Sequence, residues 1–308
     1  MTGPLTDSLT NTAWPDARAV ALSVLIPFYK DDPRALLERL GAQADPSVEL
    51  IAFDDGRPDP ALNEQVGAAI RGLTAPGALL TSRVNRGRAA ARNRLARAAR
   101  GRWLVFLDAD MEPGPDFLVR WRLALDNTPL DAVFGGYRAG APSRETRVHA
   151  RLAALSDPVD AAARARIGAS AVCSSNLAVR ADMFQAVPFE ESYIGWGWED
   201  VDWALTAARR FKLGHIDNPA DHAGLETVPG LIAKFARSGE NLARLLQRHP
   251  NYAARPGARL ALMLARLRAG WLARIIGAGA ARAPLPERVR VIGLKLFRAG
   301  AGAKALRP

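Results

Sequence analysis

The sequence predicts an α/β protein: a mostly parallel sheet flanked by helices, followed by a helical, basic C-terminal segment. Three observations predict it. Short apolar runs alternate with longer helix-favouring stretches between residues 21 and 140, the order of a parallel sheet covered on both faces. Two of those runs stop abruptly at acids, Asp54-Asp55 and Asp108-Ala109-Asp110, and an open sheet binds its ligands at the carboxyl ends of its strands. Charge is uneven: residues 231–308 hold 16 Lys and Arg against Glu240 and Glu287 alone, while the whole 308-residue chain carries only +11.

Residues 21–28, Ala-Leu-Ser-Val-Leu-Ile-Pro-Phe, read as a strand buried on both faces and closed by Pro27. Asp32-Pro33 opens a helix with proline at its first position, running to about Leu40. Residues 48–53 are a second strand ending in Asp54-Asp55-Gly56, residues 60–72 a helix, and residues 78–82 a third strand. Arg88 to Arg100 is rich in alanine and arginine and favours a helix. Residues 102–107 form a fourth strand, Asp116 to Leu125 a helix, and Val133 to Tyr137 a further strand. Residues 150–167 read as a surface helix, Cys173 to Val179 as a strand and Ala181 to Ala186 as a helix. Gly195-Trp196-Gly197-Trp198 is a glycine-aromatic loop, and the helix after it, Glu199 through Arg210, has acids in its first turn, where the helix dipole favours them. Breaker residues at Val228-Pro229-Gly230 coincide with the charge shift and set a boundary there.

Apolar residues make up 49% of the chain and charged residues 24%, enough for a packed core. The single cysteine, Cys173, excludes an internal disulfide and a thiolate zinc site and reads as a small buried residue. Residues 1–19 are polar and read as flexible, without the basic start and apolar core of a signal peptide. No apolar stretch reaches the length of a bilayer span. The expected location is the cytoplasm, free or peripheral on the inner face of the membrane.

Several segments carry chemistry. Ser23-Val24-Leu25-Ile26-Pro27-Phe28-Tyr29-Lys30-Asp31 ends a strand with an aromatic ring, Phe53-Asp54-Asp55-Gly56 is an acidic turn, and Asn85-Arg86-Gly87-Arg88-Ala89-Ala90-Ala91-Arg92-Asn93 enters a helix through a glycine. Asp108-Ala109-Asp110 offers two carboxylates, hard oxygen ligands suited to Mg²⁺ or Mn²⁺. Gly195-Trp196-Gly197-Trp198-Glu199-Asp200, with Asp202 after it, combines aromatic faces with acids. Taken in this order, over roughly residues 21–225, the segments resemble a family 2 glycosyltransferase with the GT-A fold.

The resemblance implies a division of labour. Residues 20–228 would be the catalytic domain, its donor half about 20–140 and its acceptor half about 141–228. Pro27, Tyr29 and Asp31 would line the nucleotide-sugar, with the Tyr29 ring on the base. Asp55 would accept a hydrogen bond from a uracil imide, and Arg92 and Asn93 would face the nucleotide. The sequence departs from the family after Gly56, with Arg57-Pro58-Asp59 where Ser-Thr-Asp is usual, which leaves the base open. Asp108 would reach the ribose or the metal's water shell, and Asp110 would bind Mn²⁺ or Mg²⁺. His222 would be a late metal ligand, with His215 as its competitor. Glu199, Trp196 and Trp198 would bind the acceptor. Asp200 would act as the general base of an inverting transfer to a hydroxyl of a glycan or lipid-linked acceptor.

Residues 231–248 and 258–276 read as amphipathic helices, the second with Leu260, Leu264, Leu267, Trp271 and Ile275 on one face. A basic helix with an apolar face suits an anionic membrane surface, packing on the catalytic domain, or a second subunit. Nucleic acid is not an expected partner, because aromatics are sparse among these bases and no recognition module is visible. A sugar nucleotidyltransferase would need a glycine-rich phosphate loop after the first strand, where this chain has Pro27-Phe28-Tyr29-Lys30. A non-catalytic, membrane-bound scaffold with a degenerate transferase domain is the remaining alternative, set against the presence of every acid the mechanism needs.

Overall fold

The computed structural model describes residues 7–15, 19–57, 60–157 and 159–306, and its central element is an eight-stranded sheet. Strands β1 (Asp7–Thr10), β2 (Leu22–Phe28), β3 (Val48–Asp55), β4 (Gly77–Ser82) and β5 (Trp103–Leu107) form one side of it. β6 (Met111–Glu112) starts a second sheet; β7 (Ala132–Phe134), β8 (Tyr137–Ala139), β9 (Asn176–Arg180), β10 (Leu213–His215) and β11 (Ala220–His222) follow. The order in the large sheet is β1-β4-β3-β2-β5-β9-β7-β10, and in the small one β6-β11-β8. β4, β3, β2 and β5 run parallel, while β9 lies antiparallel between β5 and β7.

The expected mostly parallel sheet is present, and its central strands are mainly apolar because both faces are covered, the buried Ser23 and Glu49 pairing with each other across β2 and β3. Alternate residues of a strand point to opposite faces, so Val24, Ile26 and Leu50 pack with Leu37 and Trp121 on one side. Leu25, Ile51 and Phe106 pack with Leu95 and Trp203 on the other. Helices α1 (Arg34–Gly41), α2 (Pro60–Arg71), α3 (Arg88–Ala98) and α4 (Phe117–Leu125) connect these strands close to the predicted bounds.

Elsewhere the structure corrects the sequence reading. The N-terminus was expected to be flexible through residue 19, yet β1 pairs antiparallel with β4, and Asn11 donates to the carbonyls of Leu73 and Ala75. The strand expected over 133–137 is two strands in different sheets, with Gly136 between them at φ 83°. The surface helix expected over 150–167 is α5 (Arg147–Ser156) and α6 (Ala161–Ile167), and it is not all surface, since Val148 and Arg164 are buried. The break falls at Asp157, extended at φ −125° and ψ 91°, as the residue before a proline prefers. The strand expected from Cys173 begins at Asn176; α7 (Ala181–Ala186) holds, and α8 spans Glu199–Ala207.

Among the described residues the C-terminal segment holds five α-helices, α9 (Val228–Arg237), α10 (Gly239–Arg248), α11 (Pro256–Arg266), α12 (Gly270–Arg282) and α13 (Glu287–Ala305), with a short 3-10 turn at Pro250–Ala254. α9 starts at the predicted boundary, where Pro229 sits in the first turn and the Thr227 hydroxyl accepts from the Gly230 amide. The helix expected over 258–276 is broken at Arg268, which has φ 52°. Its predicted single apolar face therefore splits: Leu264 is buried, whereas Leu267, Trp271 and Ile275 are 68%, 58% and 63% exposed. The segment is no detached appendage. Leu231, Phe235, Leu294 and Phe297 close a core with Val148 of α5, and Leu242, Leu245 and Ala303 close another against Trp198, Val201 and Leu205.

Candidate active site

The acids that end β3 and β5 meet the start of α3 at the carboxyl edge of the sheet. Asp55 is 4% exposed, and its two oxygens accept from the backbone amides of Arg86 and Gly87 at 3.0 and 2.9 Å. The carboxylate expected to read a base thus also fixes the loop that enters α3. That loop needs Gly87 because the backbone there has φ 89°. Asp54 holds its own turn, accepting from the Arg57 amide and from Asn63, and Arg57 donates to the carbonyl of Lys30. Pro58 and Asp59 of the departing turn lie outside the described residues. Pro27 and Tyr29, at the end of β2, are half-buried, and Asp31 beyond them is exposed. Partial burial and the nearby Asp110 charge raise the Asp31 carboxyl above its ordinary range.

Burial pushes the Asp55 carboxyl from 3.8 up to about 6, against the two amides that favour its charge. A group with a higher pKa folded than unfolded takes up its proton in the fold first. Its contribution to stability is complete below the unfolded value and is lost as pH rises through the folded one. The melting temperature of the wild type, relative to Asp55→Asn, is expected to climb as pH falls from about 7 to about 4. Calorimetry across that range checks it, and a constant difference would dismiss the shift.

Arg92 is 2% exposed at the centre of the site. Its Nη2 donates to Asp108 Oδ1 at 2.6 Å, while Nε and Nη1 are buried with no partner among the described residues. Burial opposes its charge, but Asp108, Asp200 and Glu199 outweigh burial and raise its pKa. Asn93, one step round the helix, faces elsewhere: both Nδ2 hydrogens go to the Phe189 carbonyl and Glu191 at 2.9 Å, and Oδ1 accepts from the Phe189 amide. Asn93, expected to face the nucleotide, has its side-chain amide engaged by these protein contacts. It stitches α3 to the chain before α8, because consecutive helix residues point about 100° apart.

Asp110 Oδ2 lies 3.2 Å from His222 Nε2, brought there by the pairing of β6 with β11. Burial works to raise the Asp110 carboxyl, and the imidazole outweighs it and holds the carboxyl low; the same contact raises His222 against its burial. His215 of β10, the competitor, meets the Phe134 ring edge-on at 6.0 Å, and burial lowers its pKa. His149 lies beside His222 with its ring centroid at 6.3 Å, accepts from the Glu226 amide, and is pushed down to about 4 by burial. Gly224 presses on the Asp110 carboxylate so closely that a Cβ there would collide with Oδ2. A carboxylate and an imidazole in a cradle that admits no side chain fit Mn²⁺ or Mg²⁺ as two protein ligands. They do not close a cage: among the described residues, no three His, Cys, Asp or Glu side chains gather around one point.

The loop before α8 is wound by three left-handed residues, Gly195, Gly197 and Trp198, at φ 86°, 86° and 81°. A Cβ on either glycine would touch nothing, so the glycines serve backbone conformation rather than close approach. Trp198 pays for the same geometry with strain. The loop is held from outside: Asn241 of α10 donates to the carbonyls of Ile194 and Gly197 at 3.0 and 3.1 Å. Arg298 of α13 lies over Trp198 at 4.3 Å, Trp196 at 5.4 Å and Phe235 at 5.2 Å, so both indoles are already partly covered by protein.

Glu199 is buried, 3.9 Å from Arg88, and burial together with Asp200 raises its pKa. Asp200 Oδ2 accepts from the Cys173 thiol at 3.4 Å, whose own pKa is driven up by burial and by Asp200; Asp200 Oδ1 is buried without a partner among the described residues. Cys173, Asn241 and Arg298 are the site residues that sequence reasoning missed. Asp202, the third acid, is structural: Arg248 Nε and His249 Nε2 contact it at 2.7 and 3.0 Å and tie α8 to α10.

This fold has counterparts. An uncharacterized glycosyltransferase of Haemophilus influenzae is 35% identical over 91 residues, 29% of each chain, so this chain spans under a third of that relative. The solved structure of the mannosyltransferase PcManGT from Pyrobaculum calidifontis, in complex with GDP-Man and Mn²⁺, superposes with a TM-score of 0.64 at 18% identity, covering 99% of this chain and 91% of that one. Glucosyl-3-phosphoglycerate synthase from Mycobacterium tuberculosis, with Mn²⁺, UDP and glucosyl-3-phosphoglycerate, gives 0.51 at 21% identity over 77% and 82%. These likenesses establish the GT-A fold. The glycosyl transferase family 2 model matches residues 23–187, more than half of the chain, and the chain therefore belongs to that family of glycosyltransferases.

Proposed function

We propose that the chain is a metal-dependent inverting glycosyltransferase that moves a sugar from a nucleotide-sugar, a UDP-sugar in the first instance, to a hydroxyl of a glycan or lipid-linked acceptor. One observation carries the reading. Asp200 has one oxygen held by a thiol and the other buried and unpaired among the described residues, and Arg92 links it electrostatically to Asp108, just past the end of β5 and two residues before Asp110. A carboxylate with a free oxygen in such a place suits a general base.

Asp200 Oδ1 takes the proton of the acceptor hydroxyl, whose oxygen bonds to the anomeric carbon as the bond to the diphosphate breaks on the opposite face. The nucleoside diphosphate leaves, and no covalent nucleophile is needed. Arg92 offers the N–H groups of Nε and Nη1, which have no partner among the described residues, to the donor's oxygens, and Asp108, fixed by Arg92, reads the ribose. Tyr29 gives the base a stacking face, and Asp55 orders the loop beside it. An ion held by Asp110 and His222 would neutralise the departing diphosphate. The Mn²⁺ in the mannosyltransferase and synthase complexes supports that assignment.

A panel of nucleotide-sugars with Mn²⁺ tests the reading. A UDP-sugar with Mn²⁺ is expected to raise the melting temperature by about 5 °C at saturating ligand. Asp110→Asn is expected to remove both the metal-dependent part of that rise and UDP release. If no nucleotide-sugar shifts the protein or is turned over with glycan and lipid-linked acceptors present, the proposal is wrong.

A further inference from the structure

The hairpin of α12 and α13 is built with its small residues inside and its large ones outside. α12 meets α13 through Gly270, Ala273, Gly277 and Ala281, all buried. The backbones nearly touch: a Cβ on Gly277 would lie 2.6 Å from the Gly293 oxygen, and one on Gly300 would lie 2.7 Å from the Gly270 oxygen. On the opposite side of α12, Trp271, Leu272, Ile275 and Ile276 are 58%, 43%, 63% and 52% exposed, adjacent along one strip of the helix. Leu267 before the helix and Ile292 of α13 extend the same apolar exposure at 68% and 65%. A hairpin adapted to water on its outer side carries the reverse pattern, and close packing on small residues is how helices associate beside lipid.

The charge around this strip names the occupant. Arg266, Arg268, Arg282, Arg288 and Lys295 are exposed on the same helices and their turns, and the only acid from residue 256 onward is Glu287. A second copy docked face to face would set cation against cation, whereas a leaflet of anionic headgroups pairs them. α12 has 13 residues, about 20 Å, short of the roughly 30 Å hydrocarbon core, and no helix among the described residues is long and apolar enough to cross a membrane. We propose that the outer face of the α12–α13 hairpin is a bilayer-docking surface that lies in the plane of an anionic leaflet, with Trp271 and Ile275 among the acyl chains and the arginines on lipid phosphates. The proposal is independent of the transfer reaction.

Flotation of the full chain with vesicles tests it. With vesicles rich in phosphatidylglycerol the wild type is expected to float, and with pure phosphatidylcholine to float weakly. Trp271→Glu combined with Ile275→Glu, both exposed and so expected to leave the melting temperature unchanged, should cut the bound fraction by roughly tenfold or more. Arg282→Gln with Arg288→Gln should weaken binding to anionic vesicles alone, by about fivefold per cation. A wild type that stays at the bottom of the gradient, or a glutamate variant that floats equally well, overturns the proposal. So does a dimer seen in sedimentation velocity that the glutamates dissociate while vesicles bind neither form.

Discussion

Replacing Asp200 by Asn is expected to lower kcat by about 10²–10⁴-fold while leaving the protein folded and its donor bound. The amide has the shape of the carboxylate, and its oxygen can still accept from the Cys173 thiol, 3.4 Å from the carboxylate in the wild type. What it lacks is the capacity to take a proton at the free position. The effect therefore belongs to the chemical step, not to the sheet-edge acids proposed to hold the donor. Product release with acceptor present measures the loss, and the thermal shift given by nucleotide-sugar with Mn²⁺ reports donor binding separately. A variant within tenfold of the wild type would remove Asp200 from the role of base. A variant that also fails to bind donor would mean that the acid supports the site rather than performing the transfer.

Arg92→Leu is expected to cost about 3 kcal/mol of stability and to abolish turnover. Arg92 is 2% exposed, and its partner Asp108 only 23%. Removing one member of a buried ion pair leaves the other charge without compensation, typically a loss of 3–5 kcal/mol, and the partial exposure of Asp108 sets the expectation at the lower end. Arg92 also stands among Asp108, Asp200 and Glu199, whose mutual repulsion it offsets. The control is Arg97→Ala, which lifts a pair whose members are 55% and 48% exposed and should cost under about 1 kcal/mol. Chemical denaturation of both variants gives the comparison. Equal losses would show that the Arg92 pair is no more than a surface contact.

The legible part of the fold was the part where one physical rule acts alone. β2 to β5 are buried on both faces, so their sequences are mainly apolar, interrupted inside by Ser23 and Glu49, which hydrogen-bond to each other, and turning polar at the carboxyl ends of β3 and β4. β1 was not legible, because Asp-Ser-Leu-Thr on a sheet edge has no such pattern and is held by pairing with β4 and by Asn11. β10 and β11 are three residues each, too short for a period. α13 escaped because its buried side between Gly293 and Ala303 is mostly glycine and alanine, which gives no apolar stripe to read. The residues of the candidate site divide in the same way. Acids at strand ends announce themselves by position. Cys173 under Asp200, Asn241 under the loop and Arg298 over the indoles do not, since each contact joins residues 27 to about 100 positions apart. The protein contacts of Asn93 were not legible either, because a motif says which residues occur together and not which way each one points.

The grip of Asn241 and Arg298 on the loop from Ile194 to Trp198 has a consequence for the order in which the protein can be made. Chains emerge from the ribosome N-terminus first, and domains fold largely as units as they appear. The acids of β3 and β5 can be in place while most of the chain is still being synthesised. The three left-handed residues of the loop have no external support until α10 has formed, and no guanidinium over the tryptophans until α13 has docked. A nascent chain thus forms the acid-bearing edge of its sheet well before α10 and α13 are available to hold the loop from Ile194 to Trp198.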